Sequence, residues 1–418
     1  MRGGGHIKTK QFINKGVRIP NPESITIGEE VSLDGISGHG VVIHAGSKIF
    51  GAKTAIGEGC EIGLEGPVTI ENCQLGPSVS LKGGYFSGST FLERVNMGSG
   101  AHIRSGCLLE EESNGAHTVG LKQTILLPFV TLGSLINFCD CLMAGGTSRK
   151  DHSEVGSSYI HFNYTPDQDK ATPSLIGDVP RGVMLNQRPI FLGGQGGLVG
   201  PVRIGFGTVI AAGTIYRKDF PKGNGLLFSR ASIKKQQAHY PLLYPGIKRL
   251  INNNINYIAN IIALRRWYLD VRSSFFGSAP FEKALFNGAL EKLEMAIRER
   301  IHRLGQVAQN MPRSIEIYKG VMQDKAAQEN IQLRREFFEQ WTRLEDFLGG
   351  CSHVMGDQGK RDGFLELIYR MNREGGRDYL TVITGMDDEG TALGTEWLQG
   401  VVDEINRDAA KTIPSLNE

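Results

Sequence analysis

The chain has 418 residues, 40% of them hydrophobic, enough to bury a sizeable core and longer than one ordinary domain usually runs. Its 46 basic and 44 acidic side chains leave a formal charge of +2, so no global field draws it to nucleic acid or to an anionic membrane. Six cysteines over this length do not make a disulfide framework and read as reduced packing residues.

Residues 1–24 read as a lead-in. The first six residues, Met1 to His6, have no apolar run behind their charge. The longest apolar stretch in the chain, Tyr257 to Leu264, is interrupted by Asn260 and is too short to span a bilayer. A soluble cytoplasmic protein with no membrane and no nucleic-acid partner is the expectation.

Residues 25–221 form the most distinctive segment. Of the 55 glycines, 39 precede residue 226. Within this part isolated aliphatics recur every six residues, at Ile56, Ile62 and Val68 and again at Ile204 and Ile210. A helix asks for a spacing of three or four, and a half-buried strand for two. A spacing of six with a small residue after the aliphatic fits a triangular coil, each short strand turning one aliphatic inward before a corner. Three strands make a coil of about 18 residues, and coils stack at roughly 4.8 Å, with room for roughly ten. Less regular copies fall at Ile27-Gly28, Val42-Ile43, Leu75-Gly76, and Leu126, Leu132 and Phe138. The fold class predicted is therefore a mainly β solenoid, a parallel β-helix, followed by an α-helical domain.

Residues 149–178 break the repeat with polar, Pro-containing sequence and read as an inserted loop, of the kind that usually lies on a solenoid's binding face. Residues 222–243 read as a linker and 244–418 as the helical domain. There Ile251, Ile255, Ile258 and Ile262 share one stripe, as do Leu290, Leu293, Ile297, Ile301 and Leu304. Further stripes run through Phe337, Trp341, Leu344 and Leu348 and through Trp397, Val401 and Ile405, with Gly349-Gly350 and Gly375-Gly376 as helix stops. Such stripes build a bundle core or present a groove to a protein partner; the Ile-rich first helix also suits packing against symmetry mates.

Two glycine- or cysteine-based motifs carry little. Gly193-Gly194-Gln195-Gly196-Gly197 lacks the Lys-Ser/Thr and the helix of a phosphate cradle and reads as a solenoid corner or a loop. Cys139-Asp140-Cys141 has no second Cys or His pair, so no metal is expected.

From Phe12 to Asp219 the chain resembles the C-terminal acetyltransferase half of bacterial bifunctional N-acetylglucosamine-1-phosphate uridylyltransferase and its archaeal sugar-phosphate nucleotidylyltransferase relatives. The resemblance rests on NKGVRIPNPESITIGEEV, on HIRSGCLLEEESNGAHTVGLKQTILLP, on Asn163-Tyr164 and on LVGPVRIGFGTVIAAGTI at 198–215. It implies a left-handed β-helix, a homotrimer, and active sites between subunits where acetyl-CoA lies along the coils. No segment of this sequence resembles the uridylyltransferase domain that precedes the helix in that family, so no nucleotide sugar is expected to be made by that route. The family's general-base His aligns on Ser134, whose hydroxyl is not ionised near neutral pH and cannot accept the amine proton as imidazole does.

By the same resemblance, Arg104 and Lys122 match phosphate-binding residues and otherwise read as solvated solenoid charges. Asn137 falls at a sugar-contacting position and Asp140 keeps an Asp of the family. Asn163 and Tyr164 match a pair contacting sugar and acetyl-CoA, and Ala212 matches coil backbone beside the cofactor. His152 and His161, both in the inserted loop, are the candidate replacement bases, or else ordinary loop histidines; His117 matches a coil turn. Two readings follow. One is transfer of an acetyl group from acetyl-CoA to an amino sugar or sugar phosphate. The other is a catalytically inactive trimeric scaffold that binds a sugar phosphate or nucleotide sugar and offers its helices to a partner.

Overall fold

A computed structural model describes residues 4–228, 238–321, 325–375 and 378–416. The chain is a parallel β-solenoid followed by a helical region, the fold class that the six-residue spacing predicts. A first face is a sheet of 10 short strands, from Val42–Ile43 to Leu226–Leu227. A second face runs from Thr26–Ile27 through Lys48–Phe50, Val68–Glu71, Gly84–Ser87 and Ala101–Ile103 to Ile215–Tyr216. A third runs from Ala55–Ile56 through Gln74–Leu75, Thr90–Phe91 and Leu108–Leu109 to Arg203–Ile204. The longer strands Gly120–Leu126 and Asn137–Met143 wrap from the second face onto the third, turning the corner at Gln123 and Asp140, whose φ values are +49° and +58°.

Identical registers stack the inward residues into ladders. On the first face Ile43, Ile62, Leu81 and Met97 lie over one another, all fully buried. On the second the ladder is Ile27, Ile49, Ile70, Phe86, Ile103, Leu121 and Phe138. Burying each such side chain contributes about 1.5–3 kcal/mol, which is how strands of two or three residues persist.

Helix α1 (Gly4–Lys15) closes the first coil, with Phe12 buried and Arg18 bridged to Val42. The helix α2 (Val179–Gly182) is a single turn between coils. After the solenoid come α3 (Ile247–Asp270), α4 (Pro280–Val321), α5 (Lys325–Glu339), α6 (Trp341–Gly350), α7 (Gln358–Gly375), α8 (Tyr379–Thr384) and α9 (Asp388–Thr412). Among the described residues no helix is long and apolar enough to cross a membrane.

The helices lie on the third face, where α4 packs against Ala55–Ile56, Gln74–Leu75, Thr90–Phe91 and Leu108–Leu109. One hydrophobic core runs without a break from Phe12 through the solenoid to Ile413. Ile251, Ile255, Ile258 and Ile262 are buried inside this chain, against the solenoid and α9, rather than left for symmetry mates. The close approach of α4 requires Gly288, where a Cβ would stand 2.4 Å from Gln74 Oε1 and 2.9 Å from Thr90 Oγ1.

The structure departs from the sequence reading in two places. Residues 149–178 are not one loop: Glu154–Val155, Ile160–Phe162 and Ser174–Ile176 are strands of the first, second and third faces. The hexapeptide scan misses this coil because its second-face inward slot holds His161 instead of an aliphatic, between exposed Ile160 and Phe162. The excursion from the coil is the shorter stretch 163–173. Strand Leu226–Leu227 also lies in the segment read as linker, pairing with Val209–Ile210; positions 229–237 of that segment, and Gly376 of the second glycine stop, lie outside the described residues.

Candidate functional site

Alternation along the second face turns the neighbours of each inward aliphatic outward. His102, Gly120 and Asn137 therefore form one outer row, in register, and Lys122 pairs with Cys139 in the next. Arg104 continues the strand beside Lys122, its backbone N–H donating to the Leu121 carbonyl at 2.8 Å. Arg104, Lys122 and Asn137 thus come together across three consecutive coils. Arg104, His102 and Asn137 border an open groove of about 330 Å³ floored by Gly100 and Gly120, and the His102 ring tilts over Tyr85 with centroids 5.2 Å apart. The Arg104 guanidinium also reaches Cys139 Sγ at 3.6 Å. Burial pushes that thiol above its ordinary value, Asp140 adds to the rise, and Arg104 and Lys122 oppose it.

At the far end of the row the corner residue Asp140 is 4% exposed. Its carboxylate accepts from Asn163 Nδ2 at 2.9 Å and from Arg300 Nη2 at 2.8 Å. Arg300, itself buried, comes from α4 and also donates to the Lys170 carbonyl at 3.2 Å. A buried pair of this kind is held by its hydrogen bonds, since neither charge keeps its water. Asn163 is thereby fixed at the start of the 163–173 excursion, while Tyr164 turns away. The tyrosine is exposed and lines a separate, larger cleft of about 820 Å³ with Asp167, Gln306, Asn310 and Trp341. The two residues read as a pair are thus not brought together.

The opposite corner, between the first and second faces, holds Ser134. Its Oγ lies 2.8 Å from His117 Nδ1, and its N–H donates to Ser157 Oγ at 3.2 Å. Ala212 sits on this same corner, higher in the stack, against Gly193. The glycine run at 193–197 is indeed a corner, with Gln195 at a φ of +54°.

Neither loop histidine joins these groups. His161 is a correction to the reading of it as a base: it is buried in the coil interior, packed edge-on to Phe138. Its Nδ1–H donates to the Cys139 carbonyl at 2.5 Å and its Nε2 accepts from Ser174 Oγ at 2.7 Å. Burial pulls its ionisation down to about 4, so the ring stays neutral and has no free nitrogen for an incoming amine. His152 belongs to the corner between the third and first faces, where its Nδ1 meets the Arg149 carbonyl at 3.0 Å. Arg149 itself is pinned there by the Glu112 and Phe129 carbonyls.

Two partners escaped the sequence reading. Arg300 falls one heptad after Leu293, a charge on an otherwise apolar stripe, and that interruption was the available signal. The approach of His117 to Ser134 had none, because it depends on which residues stack in consecutive coils.

No family model matches the chain. Over 214 residues it is 31% identical to the bifunctional protein GlmU of Synechococcus elongatus, covering 51% of this chain and 42% of that protein. Over 215 residues it is 29% identical to the bifunctional protein GlmU of Thermotoga petrophila, and over 227 residues 25% identical to that of Corynebacterium aurimucosum, again covering 42% of each relative. The chain thus spans less than half the length of the curated relatives it matches. With its parallel β-solenoid, these identities fit the resemblance drawn from the sequence: about half of this chain is homologous to GlmU.

Proposed function

We propose that the solenoid is a hexapeptide-repeat acyltransferase that moves an acetyl group from acetyl-CoA to an amino sugar or sugar phosphate. The observation that carries this reading is the placement of Arg104 and Lys122 side by side on consecutive coils, beside Asn137 and an open groove. Two cationic side chains at that spacing suit a phosphate, which Arg grips in a planar fork and Lys as a point charge. Asn163, held by Asp140, and the backbone around Ala212 are the further groups assigned to sugar and cofactor.

The same reading calls for a homotrimer. The last coils carry rows of exposed apolar residues on both uncovered faces, Phe191, Val209 and Leu226 on the first and Ile160, Phe162 and Ile215 on the second. Packed against neighbouring subunits, these rows would leave water.

The test is calorimetric titration of acetyl-CoA and coenzyme A into the protein, with an Asn163→Ala/Tyr164→Ala variant as control and sedimentation for the assembly state. Micromolar binding lost in the variant supports the transferase; no binding by the intact protein sinks it. The burial of His161 favours the scaffold reading instead: locked in the core, it cannot replace the base that the resemblance puts at Ser134, where no imidazole stands. Under that reading a sugar phosphate binds at Arg104 and Lys122, but no acetyl group is transferred.

A further inference from the structure

A serine hydroxyl is a poor proton acceptor by itself, but one hydrogen-bonded to an imidazole can take a proton while it passes its own to the ring. Ser134 and His117 come from consecutive coils of one corner, stacked so that the Leu135 N–H donates to the His117 carbonyl at 3.1 Å. Both corners are held by left-handed backbone, at Thr118 with φ +58° and at Leu135 with φ +60°. Among the described residues Ser134 Oγ has no hydrogen-bond partner besides His117 Nδ1, so in the tautomer with the ring proton on Nε2 the hydroxyl proton is directed to that nitrogen. The pair is reachable: His117 is exposed and Ser134 half-buried. The groove that holds His102, Arg104 and Asn137 is lined by Thr118, next to His117, and by Ile136, two residues after Ser134, so the pair lies on the corner adjoining it.

We infer that His117 is the proton acceptor for acetyl transfer, reached through the Ser134 hydroxyl; this rests on the acyltransferase reading above. The acceptor amine attacks the acetyl carbonyl, an N–C bond forms, and the C–S bond of the thioester breaks as coenzyme A leaves as thiolate. The proton shed by the amine nitrogen passes to Ser134 Oγ while the Oγ proton passes to His117 Nδ1. The imidazolium then returns a proton to the thiolate or to solvent, and both side chains end as they began. The corner thus supplies in two coils what a single imidazole would supply in one.

The experiment follows coenzyme A thiol release from acetyl-CoA with glucosamine 1-phosphate as the acceptor probe, alongside calorimetry of acetyl-CoA. His117→Gln and Ser134→Ala are each expected to lower kcat by about 100-fold or more, the usual scale for a positioned proton acceptor, while acetyl-CoA affinity holds. The double variant falls no further, because the two groups act as one unit. Ser134→Thr, which keeps the hydroxyl, retains most of the rate, and His117→Gln loses the limb in which kcat/KM rises with pH. Wild-type kcat and an unchanged pH profile in either His117→Gln or Ser134→Ala overturn the relay. Acetyl-CoA binding without any acetyl transfer to the probe also overturns it and leaves the cofactor cleft standing; no acetyl-CoA binding removes the acyltransferase reading as well.

Discussion

The second and third faces of the solenoid are built from the same kind of short strands and inward ladders, yet they hold their charged groups differently. On the third face and its corners charged groups are buried under helices with partners in reach: Arg272 pairs with Glu111, Arg300 pairs with Asp140, and Tyr268 donates a hydrogen bond to Glu110. On the second face Arg104 and His102 are exposed and Lys122 is half-buried within electrostatic reach of Glu299 on α4, and among the described residues no ion pair joins any of the three to a carboxylate. Matched buried charges hold two parts of a molecule in one arrangement; unmatched exposed ones leave cationic capacity for something else. Location in the coil, rather than residue type, separates a docking surface from a candidate binding surface.

The comparison breaks most visibly at Arg272. Its guanidinium is 1% exposed, bonds Glu111 and stacks 3.7 Å above the Tyr379 ring. Arg272→Ala strands the Glu111 carboxylate, and about 3–5 kcal/mol of stability should be lost in urea unfolding. A smaller loss, about 1–3 kcal/mol, is expected for Gly288→Ala, since the added methyl group overlaps Gln74 at the tightest point of the helix–solenoid contact.

Glu110 sharpens the contrast through pH. Burial is the largest influence on this carboxyl and pushes it up to about 7, with Arg272 opposing and Glu111 adding to the rise. A raised carboxyl means that the folded state holds its proton more tightly than the unfolded chain. Stability from this group is therefore full below the unfolded value and is lost as pH rises through about 7. Urea midpoints at pH 5 and pH 8 should differ less in Glu110→Gln than in wild type. His161 works in the other direction: with its ionisation pulled down to about 4, the protein should lose stability as pH falls from about 6.5 toward 4, and His161→Leu should flatten that slope.

The smallest effect on stability belongs to the open face. Arg104→Ala should change the unfolding free energy by no more than about 0.5 kcal/mol. The same substitution should weaken binding of a sugar phosphate by about tenfold or more, the scale of a charge-assisted hydrogen bond, as measured by calorimetry. A large stability loss at Arg104, or no change in phosphate affinity, would erase the distinction between the faces.

Much of the solenoid was legible because its rule is local. An aliphatic every six residues, with a small residue after it, specifies strand, inward side chain and corner without reference to distant sequence, and Ile56, Ile62, Val68, Ile204 and Ile210 are all buried as that rule requires. The helical stripes were legible for the same reason, and their inward faces are buried here too. The outward placement of Arg104, Lys122 and Asn137 came with the strands, since alternation fixes which neighbours face out.

What the rule did not reach depended on stacking and docking. The coil through Ile160–Phe162 was hidden because a histidine takes the inward slot, tolerated there only because Cys139 and Ser174 satisfy both ring nitrogens. The meeting of Ser134 with His117 was set by the length of chain between two corners, and that of Asp140 with Arg300 by where α4 crosses the solenoid. A repeat determines its own geometry through contacts a few residues apart, so it can be read from the chain. Charge pairing and side-chain contact across coils and helices are decided by distances that exist only once the coils have closed and the helices have packed.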